Sequence, residues 1–363
     1  MGNWKECVLG DILTFQRGHD LPKSQITVGG YPVVGSNGII GYHNAYTTEE
    51  PSITIGRSGN TGNPFIVYGR SWSHNTTLYV KEFKDSDPVF VYYLLKTLDL
   101  GNFAGGSAVP TLNRNHIHTL EISVPPFEKQ VRIGHTLRAL DDKIERNNAI
   151  NHNLEQTARA IFKSWFVDFE PWGGVMPSDW REVEFSSFLT PRVEKSSNPT
   201  IPLFSVTDTG IFPRGDKFNK ALSKATTMNK IAHQTDLVFG MSREILNWGV
   251  LRAAVGGVSS AYNVFAIADW IDSRYLESFI KAHSAYFKDL IRPATREGQG
   301  VDKGALMLKS LYLPPSEILD EYYSLENSLM KQIETLSTDS ANLATVRDTL
   351  LPKLMSGELT IDG

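Results

Sequence analysis

The amino-acid sequence predicts an α+β protein in which one mixed α/β domain, followed by one long helix, occurs twice in tandem. Two observations lead to this prediction. Short segments of the first half recur in the same order in the second half, and after each set the composition changes from strand and turn formers to a helical apolar spacing. A repeat of about 180 residues is too long for a solenoid unit, so it indicates duplication of a whole domain.

The recurring segments mark both ends of the repeat. Trp4-Lys5-Glu6 returns as Trp180-Arg181-Glu182, and Val124-Pro125-Pro126 returns as Leu313-Pro314-Pro315. Between them, Asp87, Phe90, Val91, Leu94 and Leu95 return at the same spacing as Asp272, Tyr275, Leu276, Phe279 and Ile280. The offset between the copies grows along the chain, so we expect additional loop residues in the second domain.

Length and composition are those of a globular protein with two or three domains: 363 residues, 41% hydrophobic and 21% charged. No stretch approaches the about 18 apolar residues of a membrane-spanning helix, and no apolar signal region follows Met1, so we expect a cytoplasmic location. Cys7 is the single cysteine. One cysteine excludes an intramolecular disulfide and a zinc site built on several cysteines.

The net charge of −4 is unevenly distributed. Residues 171–314 carry 17 basic and 14 acidic side chains, whereas residues 315–363 carry 3 basic and 9 acidic ones. The second globular part is therefore net positive, which is compatible with a local surface for a polyanion. The acidic last helix suits a basic partner surface.

Residues 1–125 and 171–314 have the composition of short strands joined by Gly, Asn and Ser turns. In the first part we predict strands at 32–34, 52–55 and 76–80, and a helix at 88–99 that begins with Asp87 as N-cap and Pro88 at the first helical position. In the second part we predict strands at 236–240 and 262–268, and a helix from Asp272 to about Leu290.

Residues 126–170 and 315–363 are predicted to form two long helices, because apolar residues recur at alternating spacings of three and four. The first seam holds Leu137, Leu140, Ile144, Asn147, Asn151, Leu154, Ala158, Ile161 and Trp165, and the second holds Leu329, Ile333, Leu336, Ser340, Leu343, Arg347, Leu350 and Leu354. Neither helix could bury its stripe alone. We therefore predict an antiparallel coiled-coil spacer that separates the two domains with pseudo-two-fold symmetry; two ordinary amphipathic core helices are the alternative.

Asn147 and Asn151 occupy seam positions at which leucine would be more stabilising. A polar residue at such a position often sets the register of a helix pair at a cost in stability. The alternative is that both side chains face solvent or the partner helix ends.

Catalytic patterns are missing from the sequence. It contains no phosphate loop of the Gly-x-x-x-x-Gly-Lys-Ser/Thr type, and Asn63-Pro64-Phe65 lacks the second proline of an amino-methyltransferase motif. His116 and His118 have no third metal ligand at a sensible spacing, so we assign them structural roles and predict no metal site. These absences favour a protein that binds and positions over an enzyme.

In combination, several motifs resemble the specificity subunit (HsdS) of type I restriction–modification systems over essentially the full chain. They are the segments 31–42 (YPVVGSNGIIGY), 55–57 (IGR), 106–113 (GSAVPTLN), 120–126 (LEISVPP), 162–169 (FKSWFVDF) and 350–359 (LLPKLMSGEL). Each motif alone is weak, but their order and their duplication are specific.

The resemblance implies a non-catalytic DNA reader. Residues 1–125 and 171–314 would be target-recognition domains, each reading one half of an asymmetric bipartite site, and helices 126–170 and 315–363 would be the spacer and the docking surface. Two modification subunits would bind S-adenosylmethionine and methylate adenine, and restriction subunits would supply ATP- and Mg²⁺-dependent translocation and cleavage. This chain itself would hold no cofactor.

Direct readout requires Arg or Lys for guanine and Asn or Gln for adenine on loops that reach the major groove. The candidates in the first domain are Ser36, Asn37, Arg57, Ser58, Asn60, His74, Asn75, Ser107 and Arg114. The candidates in the second domain are Lys217, Arg243, Asn247, Ser259, Gln299 and Lys303. Arg114 and Lys303 occupy corresponding positions and suit phosphate contacts. For each candidate the alternative is a solvated loop residue or a turn former, above all for Ser58 and Asn60 in a Gly-rich turn.

Two other functions stay open at this point. The chain could be a specificity subunit of another restriction–methylation type, although no room is left for a cofactor-binding domain. It could also be a coiled-coil adaptor that binds proteins and not DNA. Salt dependence separates these cases, because affinity for DNA phosphates falls steeply with ionic strength.

Overall fold

The computed structural model describes residues 4–105, 110–195, 198, 200–215, 229–242, 244–291 and 301–361. The chain divides into two compact units. Unit 1 comprises Met1–Asn151 with Ile333–Gly363, and unit 2 comprises His152–Gln332. Each unit therefore contains one globular copy and a part of both long helices. The domain limits 125, 170 and 314 taken from the sequence stay a prediction.

Helices and strands alternate irregularly along each copy. The helices of the described residues are α1 (Leu9–Ile12), α2 (Pro88–Thr97), α3 (Arg114–His118), α4 (Phe127–Phe166), α5 (Ser273–Ala282), α6 (Lys303–Met307) and α7 (Ser316–Met355). The strands of unit 1 are β1 (Lys5–Val8), β2 (Thr14–Arg17), β3 (Tyr31–Gly35), β4 (Gly38–His43), β5 (Ser52–Gly56), β6 (Pro64–Val67), β7 (Trp72–Ser73), β8 (Thr77–Glu82), β9 (Ala104–Gly105), β10 (Thr111–Leu112) and β11 (Glu121–Val124). Those of unit 2 are β12 (Arg181–Glu184), β13 (Leu189–Arg192), β14 (Phe204–Thr207), β15 (Gly210–Pro213), β16 (Lys230–His233), β17 (Leu237–Phe239), β18 (Trp248–Val250), β19 (Val255–Val258), β20 (Asn263–Ile267) and β21 (Ser310–Leu313).

The two units share one strand topology. In unit 1, β1 pairs antiparallel with β11, and a four-stranded antiparallel sheet has the order β2-β8-β5-β6. In unit 2, β12 pairs antiparallel with β21, and the corresponding sheet has the order β13-β20-β17-β18. The smaller sheets differ: β4-β3-β7 in unit 1, and the pairs β14-β15 and β16-β19 in unit 2. The predicted α+β fold with a duplicated domain is confirmed.

The corresponding helices α2 and α5 begin as their N-caps predict. The Asp87 carboxylate accepts a hydrogen bond from the Phe90 N–H, and the Asp272 carboxylate accepts one from the Arg274 N–H. The helix α5 ends at Ala282, however, and a 3-10 helix follows over Ser284–Leu290. The single long helix predicted there was wrong, because Phe287 and Leu290 are both buried at the three-residue spacing of a 3-10 helix.

The core of each unit is completed by both long helices. In unit 1, Ile133 and Leu137 of α4 and Leu354 of α7 join the buried cluster around the four-stranded sheet. In unit 2, Phe162 and Phe166 of α4 pack with Tyr322 of α7, and the Phe166 and Tyr322 ring centroids are 5.0 Å apart. The apolar stripes that the sequence displays are therefore core-forming surfaces at both ends of each helix.

Within unit 1 the two helices run antiparallel with a polar middle. The Asn147 side chain is fully buried and donates to Asp339 at 2.8 Å, and Asn151 donates to Ser337 at 3.0 Å. The alternative, that both side chains face solvent or the partner helix ends, was wrong, because Asp339 and Ser337 lie in the middle of α7. The Oδ1 atoms of both asparagines and the hydroxyl of Ser340 are buried without a hydrogen-bond partner among the described residues. Such groups cost stability unless water reaches them, as expected of residues that specify a register.

An ion pair lies beside this polar layer. Arg347 of α7 binds Asp141 of α4 with an N–O distance of 2.5 Å, and the Tyr93 hydroxyl of α2 donates to the other Asp141 oxygen at 2.5 Å. Burial and this hydrogen bond to Asp141 raise the pKa of Tyr93, so the hydroxyl stays a donor. Asp141 thereby joins α2, α4 and α7 at one point.

No helix within the described ranges is long and apolar enough to cross a membrane.

We predict that Arg347→Ala destabilises unit 1 by about 1.5–3 kcal/mol, the range for a hydrogen bond to a charged group. Without Arg347, Asp141 stays largely buried, and Tyr93 is its one remaining hydrogen-bond partner among the described residues. Urea denaturation measures this change. The control is Arg146→Ala, which removes the same charge from an exposed position on α4 and should change stability by less than about 0.5 kcal/mol. Equal effects of the two substitutions would contradict the role of the ion pair.

Candidate nucleic-acid interface

The candidate residues of unit 1 gather at one end of its four-stranded sheet, where β5 ends and β8 begins. Gly56 at the end of β5 pairs with Thr77 at the start of β8. The β3–β4 turn with Ser36 and Asn37, and the turn after β5 with Arg57, meet at this end. Residues scattered over the first half of the sequence thus form one surface.

Thr76 holds these turns together. Its hydroxyl accepts a hydrogen bond from the Ser36 N–H at 3.2 Å and lies 3.1 Å from the His74 Nδ1 atom. Its carbonyl accepts from the N–H groups of Arg57 and Ser58 at 2.8 and 3.2 Å. Sequence reasoning assigned Thr76 to the predicted strand 76–80 and missed this role, because a threonine in a strand pattern carries no signal of it; the strand itself begins at Thr77.

Arg57 is placed next to the start of α3, which carries Arg114. The Leu112 N–H donates to the Arg57 carbonyl at 2.8 Å, and the backbone of Ser58 pairs with that of Thr111 in an isolated β-bridge. Arg114 is the first residue of α3 and is exposed, while Arg57 is half-buried. Two guanidinium groups from distant parts of the sequence therefore belong to one surface, and neither forms an ion pair with another described residue.

The amide side chains of this surface are used in different ways. Asn37 is exposed in its turn. Asn75 donates to Asp20, and Asn60 accepts from Asn63 within the Gly-rich turn. The turn-forming interpretation therefore fits Asn60, whereas Asn37 is the amide most accessible to a ligand.

In unit 2 the corresponding end of the sheet carries Asn247 and Ser259. Phe239 at the end of β17 pairs with Asn263 at the start of β20. The Asn247 side chain donates to the Met241 carbonyl at 2.5 Å and so closes the loop between β17 and β18. The Ser259 carbonyl accepts from the Tyr262 N–H in the turn before β20. Both residues support turns at the predicted surface.

Three lysines meet beside this turn. Lys230 donates from its Nζ atom to the Tyr262 carbonyl at 2.5 Å. The backbone of Lys195 pairs with that of Lys230 in an isolated antiparallel β-bridge. Lys303 is the first residue of α6, as Arg114 is of α3. Burial lowers the pKa of the Lys230 ammonium, and repulsion by Lys303 and Lys195 lowers it further. Neighbouring Glu194 pairs with His233 at 3.0 Å. We call Lys195, Lys230 and Lys303 the lysine cluster.

Of this cluster the sequence indicated Lys303 alone. Lys195 and Lys230 lie far apart in the sequence and come together through strand pairing, so no local pattern could have identified them. The predicted residues Ser107, Lys217, Arg243 and Gln299 lie outside the described residues.

The two histidines of α3 have different surroundings. The His118 Nε2 atom accepts a hydrogen bond from the Phe15 N–H at 3.0 Å, and the two rings stack. Burial, followed by the positive charges of Arg114 and Lys84, lowers the pKa of His118, which favours the neutral ring that accepts this hydrogen bond. Over the described part of the chain no group of three or more His, Cys, Asp or Glu side chains could hold a metal.

Comparison with known proteins finds relatives of this chain. Residues 1–156 match the family model of the type I restriction modification DNA specificity domain. The chain is 27% identical, over 303 residues that cover 75% of it and 69% of the relative, to the type I restriction enzyme MjaIX specificity subunit of Methanocaldococcus jannaschii. It is 47% identical over 62 residues, 17% of this chain and 14% of the relative, to the HindI specificity subunit of Haemophilus influenzae.

The fold is also that of a solved relative. The S subunit of a type I restriction–modification system from M. genitalium matches with a TM-score of 0.62 at 16% identity, over 97% of this chain and 96% of that one. Residues 1–156 therefore match a DNA specificity domain, and these relatives are specificity subunits of type I restriction–modification systems.

We predict that Lys303→Gln raises the pKa of Lys230 towards its ordinary value, because one repelling charge disappears while the burial of Lys230 stays. NMR titration of the lysine side-chain signals measures this pKa. Lys281→Gln is the control, since Lys281 is exposed and paired with Glu277. An unchanged Lys230 pKa in Lys303→Gln would show that the Lys303 ammonium group is not close to that of Lys230.

Proposed function

We propose that this subunit reads an asymmetric bipartite DNA site, with one half recognised by each unit. The observation that carries the proposal is the placement of basic groups at the same end of the same sheet in both units: Arg57 and Arg114 in one, and the lysine cluster in the other. Cationic groups that lack carboxylate partners are suited to DNA phosphates, which supply most of the affinity of DNA-binding proteins.

The two surfaces share a frame but not their side chains. Asn37 and Arg57 of unit 1 have donors that suit adenine and guanine edges. At this end of the sheet in unit 2, the described residues place lysines where unit 1 has arginines. Lysine suits contacts with the phosphate backbone of DNA. Different side chains on equivalent turns favour two different half-sites, separated by a fixed stretch that is not read.

The chemistry is assigned to partner subunits. Two modification subunits would bind S-adenosylmethionine and methylate adenine, and restriction subunits would bind ATP and Mg²⁺ and cleave DNA. The long helices α4 and α7 are the proposed docking elements, and the assembly would act on DNA in the cytoplasm. Assignment to another restriction–methylation type would differ in these partners and not in the role of this chain.

We predict that deletion of the gene abolishes N6-methyladenine at one asymmetric bipartite motif in the source strain. Long-read sequencing that detects methylated adenine gives the result and the target bases together. Restoration of the gene on a plasmid is the control for indirect effects. Retention of every methylated motif in the deletion strain, with the partner subunits expressed, would contradict the proposal.

We also predict that Lys303→Gln weakens DNA binding by the assembled methyltransferase about equally for all sequences, and reduces the slope of log affinity against log salt by about 1. Fluorescence anisotropy at several salt concentrations measures both quantities. Lys281→Gln, which removes an exposed charge paired with Glu277, should leave the slope unchanged. An adaptor that does not bind DNA would show no slope in any variant.

A further inference from the structure

Unit 2 contains a cavity that is lined in part by acidic side chains. The cavity has a volume of about 430 Å³, within the range of about 300–1,000 Å³ for ligand-binding clefts. It lies between the segment that joins β20 to α5 and the first turns of α7. Its polar and aromatic lining includes Asp269, Trp270, Asp272, Ser316, Asp320 and Tyr323.

The equivalent position in unit 1 is closed. Gln130 is buried, accepts a hydrogen bond from the Asp87 N–H at 3.0 Å and donates to the Pro125 carbonyl at 3.0 Å. One turn later, Gly134 lets α4 lie directly against the start of α2, since a Cβ atom there would be 2.9 Å from the Phe90 nitrogen. A glutamine and a glycine thus seal the junction of helix and domain.

Unit 2 has different residues at these two positions. When Pro126 is aligned with Pro315, Gln130 corresponds to Leu319 and Gly134 to Tyr323. Leucine cannot make the two hydrogen bonds of Gln130. The Arg274 guanidinium carbon is 4.2 Å from the centroid of the Tyr323 ring, so a large side chain occupies the position at which unit 1 has a glycine. The duplicated junction is therefore open in unit 2.

The charge of the cavity is negative. Asp272 is compensated by Arg274: burial works to raise the pKa of this carboxyl, but the hydrogen bonds from Arg274 outweigh it and the pKa is lowered. Asp269 and Asp320 are exposed and form no ion pair or side-chain hydrogen bond with a described residue. Glu317 adds a further carboxylate at the start of α7. The cavity has two carboxylates that are free to bind a cation.

An exposed aromatic ring completes the cavity. Trp270 is 48% exposed, unusually open for a tryptophan. One cation is already near it, since the Arg181 guanidinium carbon lies 5.4 Å from its ring centroid. A tryptophan face next to carboxylates is the arrangement that holds guanidinium and ammonium groups, through cation–π attraction and charge-assisted hydrogen bonds.

We propose that this cavity is a docking pocket for an arginine or lysine side chain of a protein partner. DNA is excluded, because phosphates would be repelled by Asp269 and Asp320. The negative charge of the cavity continues along α7, where Glu321 follows Asp320, so the complementary partner surface is basic. The partner would be a protein assembled with this subunit, and in this respect alone the inference rests on the proposed function.

The direct test uses the full chain with ¹⁵N-labelled tryptophan. Its Trp270 indole signal, assigned by its loss in Trp270→Phe, is followed by NMR while N-acetyl-arginine amide is added. We expect a saturable shift with the arginine probe and none with N-acetyl-citrulline amide, which has nearly the same shape and no charge. An equal shift with citrulline would overturn the proposal.

Matched variants locate the binding site. Asp269→Asn and Asp320→Asn keep the size of exposed side chains. Each should lower the affinity for the arginine probe by at least about fivefold, because each removes one charge-assisted contact. Asp208→Asn removes the same charge from an exposed turn of unit 2 and should leave binding unchanged. Unaltered binding in both cavity variants would overturn the assignment.

The protein source of the cation is tested on the assembled methyltransferase. The double variant Asp269→Asn/Asp320→Asn should dissociate from its partner subunits at lower salt than the parent, while the methylated motif stays the same. The assignment to a protein partner would be overturned if the double variant assembled at the same salt concentrations as the parent. It would also be overturned if spermidine saturated the cavity at a lower concentration than an arginine-containing peptide. A failure of DNA specificity itself would appear separately, as an unchanged methylome on gene deletion.

Discussion

Both cores depend on one constraint: each globular copy needs the end of one long helix and the start of the other to exclude water. Leu354 comes from nearly the end of the chain, yet it is 1% exposed in the core that the N-terminal half builds. Phe162 and Tyr322 serve the second core in the same way. Because burial of apolar surface is the main favourable term in folding, neither copy is complete without both helices. The helix pairing within each unit follows from this requirement.

Polar residues in the middle of the helix seam lower the stability of the helix pair. Asn147 and Asp339 stand where apolar residues would pack, and the Asn147 Oδ1 atom has no hydrogen-bond partner among the described residues. A purely apolar seam would tolerate a slip of one turn, whereas Asn147 opposite Asp339 and Asp141 opposite Arg347 match in one register. For a protein whose proposed function depends on a fixed distance between two reading surfaces, a single register matters more than maximal stability.

Duplication explains why the two units can have different surfaces on one frame. The strand pairs, the four-stranded sheets and the aspartate caps of α2 and α5 correspond, since they carry the cores. Gln130 and Gly134 seal a junction that Leu319 and Tyr323 leave open. At the end of the sheet where unit 1 carries Arg57, unit 2 carries the lysine cluster. Surface residues can change in this way because substitutions away from the core typically alter stability by less than about 0.5 kcal/mol.

The sequence by itself determined the duplication, the fold class, the seam positions of both long helices and the aspartate caps, because each depends on spacing within one segment. It also indicated the candidate residues Arg57, Arg114 and Lys303 one by one. Only the tertiary structure decided that Thr76 joins the turns of unit 1, that Lys195 and Lys230 lie beside Lys303, and that a cavity opens next to Trp270. It also decided that the helix predicted to reach Leu290 ends at Ala282. These features arise where distant segments meet, and a one-dimensional pattern does not contain the pairing of strands or the distance between packed helices.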